Sequence, residues 1–235
     1  MKQWITKSGY KITRVLSGRS NVFLLSDGVR NTLVDTSVSR LWNKLQKRLD
    51  NLGVQSIDYL ILTHAHFDHA ANARRIKEKY HSKVVIHRDE VNYLTNGDNV
   101  LPGGTMFFTR PILNIIGKRL FYFFRYEPCK PDLVVETQYD CKEFEDNLFL
   151  IHTPGHTAGS MSFIVDDEIA IVGDTLFGVF KWSVFPPYAV DTKSMVKSWG
   201  KLLATNCTVF LPSHGSSVNR DSVQKDYDKR ISTIK

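Results

Sequence analysis

The sequence predicts an α/β (α+β) layered domain on three observations. Short β-branched runs alternate with longer segments of helical period, the pattern of strands packed against helices. Gly, Asn, Asp and Pro punctuate that alternation. The metal-type side chains fall in turns after apolar runs, where a rigid scaffold makes loop tips converge into sites. With 235 residues, 42% of them hydrophobic, the chain can bury a full core. One domain over residues 1–235 is expected, with an inserted helical, lid-like segment at about 96–131.

The first strands are "KITRVLSG", "NVFLLSD" and "NTLVDT", separated by turn residues at Gly18–Asn21 and Asp27-Gly28. "SVSRLWNKLQKRLDNLG" repeats Leu41, Leu45 and Leu49 at a helical period and stops at Gly53. A strand over 57–62, a helix over 69–80 and the strand "KVVIH" follow. Residues 96–131 break the rhythm. "NGDNVLPGG" reads as a loop. "PILNIIGKRLFYFFRY" reads as an amphipathic helix opened by Pro111, with Ile112, Ile116, Leu120 and Phe123 on one face and Asn114, Lys118 and Arg125 opposite. The segment is rich in aromatic residues, Phe123 and Phe124 among them. It either completes the core, offers the substrate an apolar wall as a lid, or rests on a membrane surface. After Pro131 the strands return as "DLVVE", "LFLIHT", "SMSFIVD" and "EIAIVGD". A helix over 192–205, a strand over 208–211 and a helix over 220–233 close the chain. Both halves run strands first and helices after, which suits two similar halves packed together.

The formal charge is +7. The lysines and arginines sit mostly on helical faces with acids between them, as in "KLQKRLDN" and "ARRIKEKYHSK", which points to a solvated surface rather than a nucleic-acid footprint. Cys129, Cys141 and Cys207 are an odd number at no ligand-like spacing and read as reduced thiols of a cytoplasmic protein. "MKQWITKSGYKITRV" lacks the apolar stretch of a signal peptide. No run approaches the roughly 18 uncharged apolar residues that a spanning helix needs.

The chemistry concentrates in "LTHAHFDHAAN", residues 62–72, between a core strand and a helix. His64 and His66 are two apart in an extended segment, so their side chains point to one side and can grip one metal. Asp68 and His69 lie where the helix begins and the direction changes, so they can serve a second metal. Asp68 there is also favoured by the helix dipole. Three further ligand types follow strands: His156 in "HTPGHTAGS", Asp174 in "IAIVGDTLF" and His214 in "VFLPSHGSS". Nitrogen and carboxylate ligands without a nearby cysteine suit zinc, and iron or manganese would accept them. His81, His87 and His152 stand outside this set as ordinary histidines.

His64-Ala-His66-Phe-Asp68-His69, with His156, Asp174 and His214, resembles the metallo-β-lactamase superfamily from "NVFLLSDGVRNTLVDT" through "LPSHG". The resemblance implies a four-layer αββα sandwich with two metals at one edge of the sheets. By position, His64, His66 and His156 would bind the first metal, and Asp68, His69 and His214 the second. Asp174 would bridge both. The implied nucleophile is a hydroxide between the metals, since bound cations lower the pKa of water to about 7. Asp68 would also orient it.

Asp174 sets the chain apart from the family's true β-lactamases, which generally lack that bridge. "GDTLF" resembles glyoxalase II and its relatives. The chain departs from their Cys-Gly-Arg and Gly-His-Glu elements, with "GVFKWSVFPPYAVD" and "PSHGSS" instead. Phe177 stands where some lactonases place a tyrosine, and Phe177, Phe123 and Phe124 are candidate substrate contacts. The expected activity is hydrolysis of an ester, thioester or lactone in a small, partly apolar molecule. A phosphodiesterase or nuclease, and an iron-dependent persulfide dioxygenase with a single metal, remain as alternatives.

Overall fold

The computed structural model describes residues 1–99, 103–105, 124–136, 138–140 and 147–234. Two sheets face each other. The first has the order β1 (Gln3–Ile5), β2 (Lys11–Leu16), β3 (Val22–Ser26), β4 (Asn31–Val34), β5 (Tyr59–Ile61), β6 (Lys83–His87), β8 (Leu133–Val135). It is antiparallel from β1 to β4 and parallel from β4 to β8. The second has the order β15 (Val218–Asn219), β14 (Val209–Pro212), β12 (Ile169–Gly173), β11 (Met161–Val165), β10 (Leu148–His152), β9 (Gln138–Asp140). It is antiparallel from β9 to β12, and β14 then joins β12 in parallel. A two-residue ladder pairs β7 (Gly103–Gly104) with β13 (Tyr188–Ala189).

Period-two side chains fill three apolar layers. Phe23, Leu25 and Ile61 meet Leu150, Phe163 and Ile171 between the sheets. Leu24, Leu33 and Leu60 face outward onto Leu45 and Leu49 of the helix Trp42–Asn51 and Ile76 of the helix Ala73–Tyr80. On the far side, Ala170, Val172 and Phe210 pack against Met195, Trp199 and Leu202 of the helix Thr192–Ala204 and Val223 of the helix Arg220–Ile231. Helices, sheet, sheet, helices: the four-layer αββα sandwich is the observed architecture. The strand ends that gather the metal-type residues lie along one edge of it.

Several boundaries differ from expectation. The helix expected over 69–80 is two, Phe67–Ala70 and Ala73–Tyr80. Asn72 explains the break: its side-chain amide donates to the carbonyls of Thr36, Ser37 and Val38, and its N–H to Thr36 Oγ1. β1, β7, β9, β13 and β15 have only two or three residues each, too few to show a period. The helix Val91–Asn96 inside the unassigned stretch after "KVVIH" also escaped the pattern. Most of the helix expected from Pro111, including Phe123, lies outside the described residues. Its expected end, Phe124 to Tyr126, is turn and coil. Cys129 and Cys207 are free and buried, and burial pushes each thiol up to about 11. Cys141 lies outside the described residues. No helix among the described residues is long and apolar enough to cross a membrane.

Candidate metal centre

Four loops, each leaving the C-terminal end of a strand, bring the seven candidate residues together. β5 leads into His64, His66, Asp68 and His69. β10 leads into His156, β12 into Asp174, and β14 into His214. All are buried except His214, whose side chain is 17% exposed. The helix Thr192–Ala204 fastens two of the loops. Trp199 Nε1 donates to the Thr175 carbonyl beside Asp174 at 2.7 Å, and Ser198 Oγ donates to the Pro154 carbonyl at 2.7 Å. Asp191 caps that helix by accepting from the backbone N–H groups of Lys193 and Ser194.

The residues form two trios of possible metal ligands, His64–His66–His156 and Asp68–His69–His214, and a third group, His64–His69–Asp174, that links them. In the first, His66 Nδ1 lies 2.9 Å from His64 Nε2 and 3.1 Å from His156 Nε2. In the second, His69 Nε2 is 3.8 Å from Asp68 Oδ1 and His214 Nε2 is 3.6 Å from Asp68 Oδ2. Asp174 Oδ2 stands between them, 3.5 Å from His156 Nε2, 3.7 Å from His69 Nε2 and 3.2 Å from His214 Nε2.

The donor set suits divalent metals. His69 Nε2 and Asp174 Oδ1 are buried without a hydrogen-bond partner among the described residues, a costly state that a cation would relieve. The far ring nitrogens are held as metal ligands require. His156 Nδ1–H donates to the Tyr188 carbonyl at 2.9 Å, which leaves Nε2 to face the centre. His69 Nδ1–H donates to Asp35 Oδ2 at 2.8 Å. His64 Nδ1–H donates to Thr63 Oγ1 at 3.1 Å, and that hydroxyl donates to Asp35 Oδ2 at 2.9 Å.

Electrostatics separate the two trios. Burial, aided by neighbouring imidazoles, holds the His64 pKa well below the usual histidine value, and burial also lowers that of His156. Burial acts the same way on His69 and His214, but nearby carboxylates together outweigh it and raise both, Asp174 first, with Asp35 adding at His69 and Asp68 at His214. Burial disfavours charge on Asp174 too, yet His214 and His69 pull its carboxyl well below the usual range.

Sequence reasoning passed over the side chains that hold these loops. Asp35, at the end of β4, accepts from the Thr63 N–H at 2.9 Å and from Ser213 Oγ at 3.1 Å, besides the contacts above. The signal was present, since "LVDT" is another acid directly after a β-branched run. Glu90 is fully buried and accepts from the Ala65 N–H at 2.9 Å and the Gly159 N–H at 3.0 Å, which joins the first ligand loop to the His156 loop. A Cβ on Gly159 would stand 2.5 Å from Glu90 Cγ, so only glycine fits there. Tyr126 donates its hydroxyl to the Ala65 carbonyl at 2.7 Å, and Asn99 Oδ1 accepts from the Phe67 N–H at 2.6 Å.

A separate cluster, His87–Asp89–His152, also has its ligand-type atoms within 4.8 Å of one another. Its two rings stack at 4.0 Å with planes 18° apart, so their in-plane lone pairs run side by side instead of converging on an ion. Their Nε2 atoms meet the carbonyls of Glu136 and Ala158. These contacts fit packing histidines.

The centre opens into a cavity of about 410 Å³, lined by Arg19, Phe67, Phe124, Phe177, Pro187 and Tyr188 among others. Phe124 stacks on Phe67 at 4.4 Å, and Phe177 lies 5.3 Å from the His214 ring. Two of the three expected substrate contacts therefore border the cavity, and Phe123 lies outside the described residues.

A family model for the metallo-beta-lactamase superfamily matches residues 17–214. The chain belongs to that superfamily. It is 30% identical over 205 residues to a probable metallo-hydrolase of Methanocaldococcus jannaschii, covering 86% of this chain and 90% of that one. It is 23% identical over 232 residues to the atrochrysone carboxyl ACP thioesterase of Aspergillus fumigatus, covering 94% of this chain and 61% of that one. An archaeal metallo-beta-lactamase superfamily protein from Sulfolobus tokodaii superposes with a TM-score of 0.65 at 22% identity, covering 93% of this chain and 85% of that one. The superfamily is one of metallo-hydrolases, and the buried His and Asp groups of this member are its candidate metal ligands.

Proposed function

We propose that this superfamily member is a dinuclear zinc hydrolase that cleaves an ester, thioester or lactone bond. The observation that supports the reading most is the place of Asp174 Oδ2, within 3.2–3.7 Å of nitrogens from both trios. His64, His66 and His156 would hold one metal, and Asp68, His69 and His214 the other. When bound, the pair would supply a hydroxide nucleophile at neutral pH and polarise the carbonyl. The chain's own residues do the positioning. Asp174 offsets positive charge from both sides. With one oxygen on the second metal, Asp68 would have the other to accept a hydrogen bond from the nucleophile and orient it. Phe67, Phe124 and Phe177 exclude bulk water and hold the apolar part of the substrate. The thioesterase relative supports an acyl substrate. Elemental analysis of protein expressed with added zinc, with a screen of ester, thioester, lactone and phosphodiester reporters, tests the reading. Two zinc ions per chain and acyl-bond cleavage are expected. Full activity with a single iron would replace the reading with the dioxygenase, and phosphodiester cleavage alone with the nuclease.

Zinc occupancy is expected to fall in two stages as pH drops from about 8 to about 5. A ligand histidine must be neutral, so a raised pKa means that protons compete with metal at a higher pH. His69 and His214 have raised pKa values while those of His64 and His156 are lowered, so the second trio empties first. Equilibrium dialysis followed by metal analysis reads the stages. A single-stage loss would contradict the asymmetry.

The apolar walls predict a dependence on acyl length. Each further CH₂ buried is worth up to about 0.8 kcal/mol, so kcat/KM should rise up to about fourfold per methylene until the cavity is full. Phe124→Ala should flatten that rise without removing metal. A flat profile in the unmodified enzyme would show that these rings pack but do not bind.

A further inference from the structure

Apart from the candidate metal ligands, the described residues that line the cavity include one charged side chain. Arg19 is the only lysine or arginine among the described residues that line it. The guanidinium lies 5.5 Å over the Phe67 ring, and its Nε lies 3.9 Å from Asp68 Oδ2. No hydrogen bond satisfies its donors among the described residues. Half of the side chain, 49%, is exposed. The half-exposed guanidinium, paired at long range with Asp68, has N–H donors available to a carboxylate or phosphate entering the cavity it lines.

The backbone under Arg19 is pinned. Gly18 takes φ +117°, which turns the chain between β2 and β3. Ser20 Oγ donates to the Asp68 carbonyl at 2.6 Å. Asn21 Nδ2 donates to the carbonyls of Pro212 and Gly215 at 2.8 and 3.0 Å. The loop that presents Arg19 is thus fastened to the segments that present Asp68 and His214. The backbone that carries this charge is fixed beside the aromatic wall. The wall continues on the other side of His214. Phe177 leads to Phe180 at 5.6 Å, and Phe180 stacks on the exposed Trp182 at 5.2 Å.

We propose that Arg19 receives an anionic oxygen-acid group on the part of the substrate that is not cleaved. The substrate class is then an ester or thioester with a flat or apolar middle and a carboxylate or phosphate at one end. The identification of the bond as an acyl bond rests on the hydrolase reading. The anion site rests on Arg19 alone.

The test compares 4-acetoxybenzoate and 4-acetoxyphenyl phosphate with the neutral methyl 4-acetoxybenzoate, using zinc-loaded protein. The anionic-to-neutral ratio of kcat/KM is taken in the unmodified enzyme, Arg19→Ala and Arg19→Lys. The neutral ester divides out any loss common to both substrates, including an effect through Asp68. The ratio is expected to fall about tenfold in Arg19→Ala, as for loss of a charge-assisted hydrogen bond at a half-exposed site. Arg19→Lys should retain part of it. Raising the salt to about 0.5 M should lower the ratio in the unmodified enzyme. The larger of the two anionic ratios distinguishes carboxylate from phosphate. An equal ratio in the unmodified enzyme and Arg19→Ala overturns the proposal and leaves the hydrolase reading intact. If none of these esters is cleaved, the reporter screen above decides the hydrolase reading, and calorimetric binding of 4-hydroxybenzoate decides the anion site. Binding about tenfold weaker in Arg19→Ala upholds it, and equal binding overturns it.

Discussion

Asp174→Ala is expected to lower hydrolysis on the order of a thousandfold or more while the chain still folds. Asp174 Oδ2 lies within 3.2–3.7 Å of nitrogens from both trios, so in the proposed dinuclear centre its removal would leave two cations facing each other without the charge between them. The second metal should be lost first. The nitrogens of the first trio already lie 2.9–3.1 Å apart, whereas the contacts within the second are 3.6–3.8 Å and depend more on the bridge. Metal analysis after dialysis, together with steady-state rates, reads both effects. His152→Ala is the control. That ring stacks on His87 and meets the Ala158 carbonyl at 2.8 Å, away from the cavity lining. It should cost about 1 kcal/mol of stability and keep most of the activity. Comparable losses in the two variants would show that the ligand assignment is wrong.

What could be read from the sequence follows a physical line. The clustering of His64, His66, Asp68 and His69 was legible because these candidate ligands are close in sequence and their spacing encodes direction. His156, Asp174 and His214 were legible because each ends an apolar run, and strand ends converge in a layered fold. β6 matched its expected limits, Lys83–His87, since a run of β-branched residues buried on both sides has a plain pattern. The supports were harder to see. Glu90 sits in "HRDEV", where an acid beside another acid reads as surface, yet it is fully buried because the backbone N–H groups of Ala65 and Gly159, far apart in sequence, meet there. Tyr126 and Arg19 act through contacts that only the tertiary structure creates. A one-dimensional pattern reports periodicity and cannot report which distant loops will close around a side chain.

Asp35 is the residue whose loss should cost the most stability outside the core. It is 1% exposed, it has φ +60°, and its carboxylate accepts from Thr63, His69 and Ser213. Asp35→Ala would strand a backbone N–H, two hydroxyls and an imidazole N–H in the interior and place alanine in the left-handed region. Each stranded group costs about 1–3 kcal/mol and the losses overlap, so about 3–5 kcal/mol is expected from urea unfolding of the metal-free protein. Asp35→Asn separates the charge from the shape, because asparagine tolerates that φ and keeps one acceptor oxygen. Its effect on stability should depend on pH, with a definite sign. The His69 pKa is raised in the folded protein, mainly by Asp174 and then Asp35 against the opposing effect of burial. A raised folded pKa contributes stability that is fully present below the unfolded value of about 6.5 and is lost as pH rises through the folded value. Removing the Asp35 charge should therefore destabilise the metal-free protein more at about pH 6 than at about pH 9. Zinc affinity should fall roughly 10- to 100-fold, because Asp35 holds His69 directly and His64 through Thr63, one ligand of each trio. A pH-independent loss in Asp35→Asn would mean that Asp35 acts on the fold by shape and hydrogen bonding alone, and that the charge on His69 is set by Asp174.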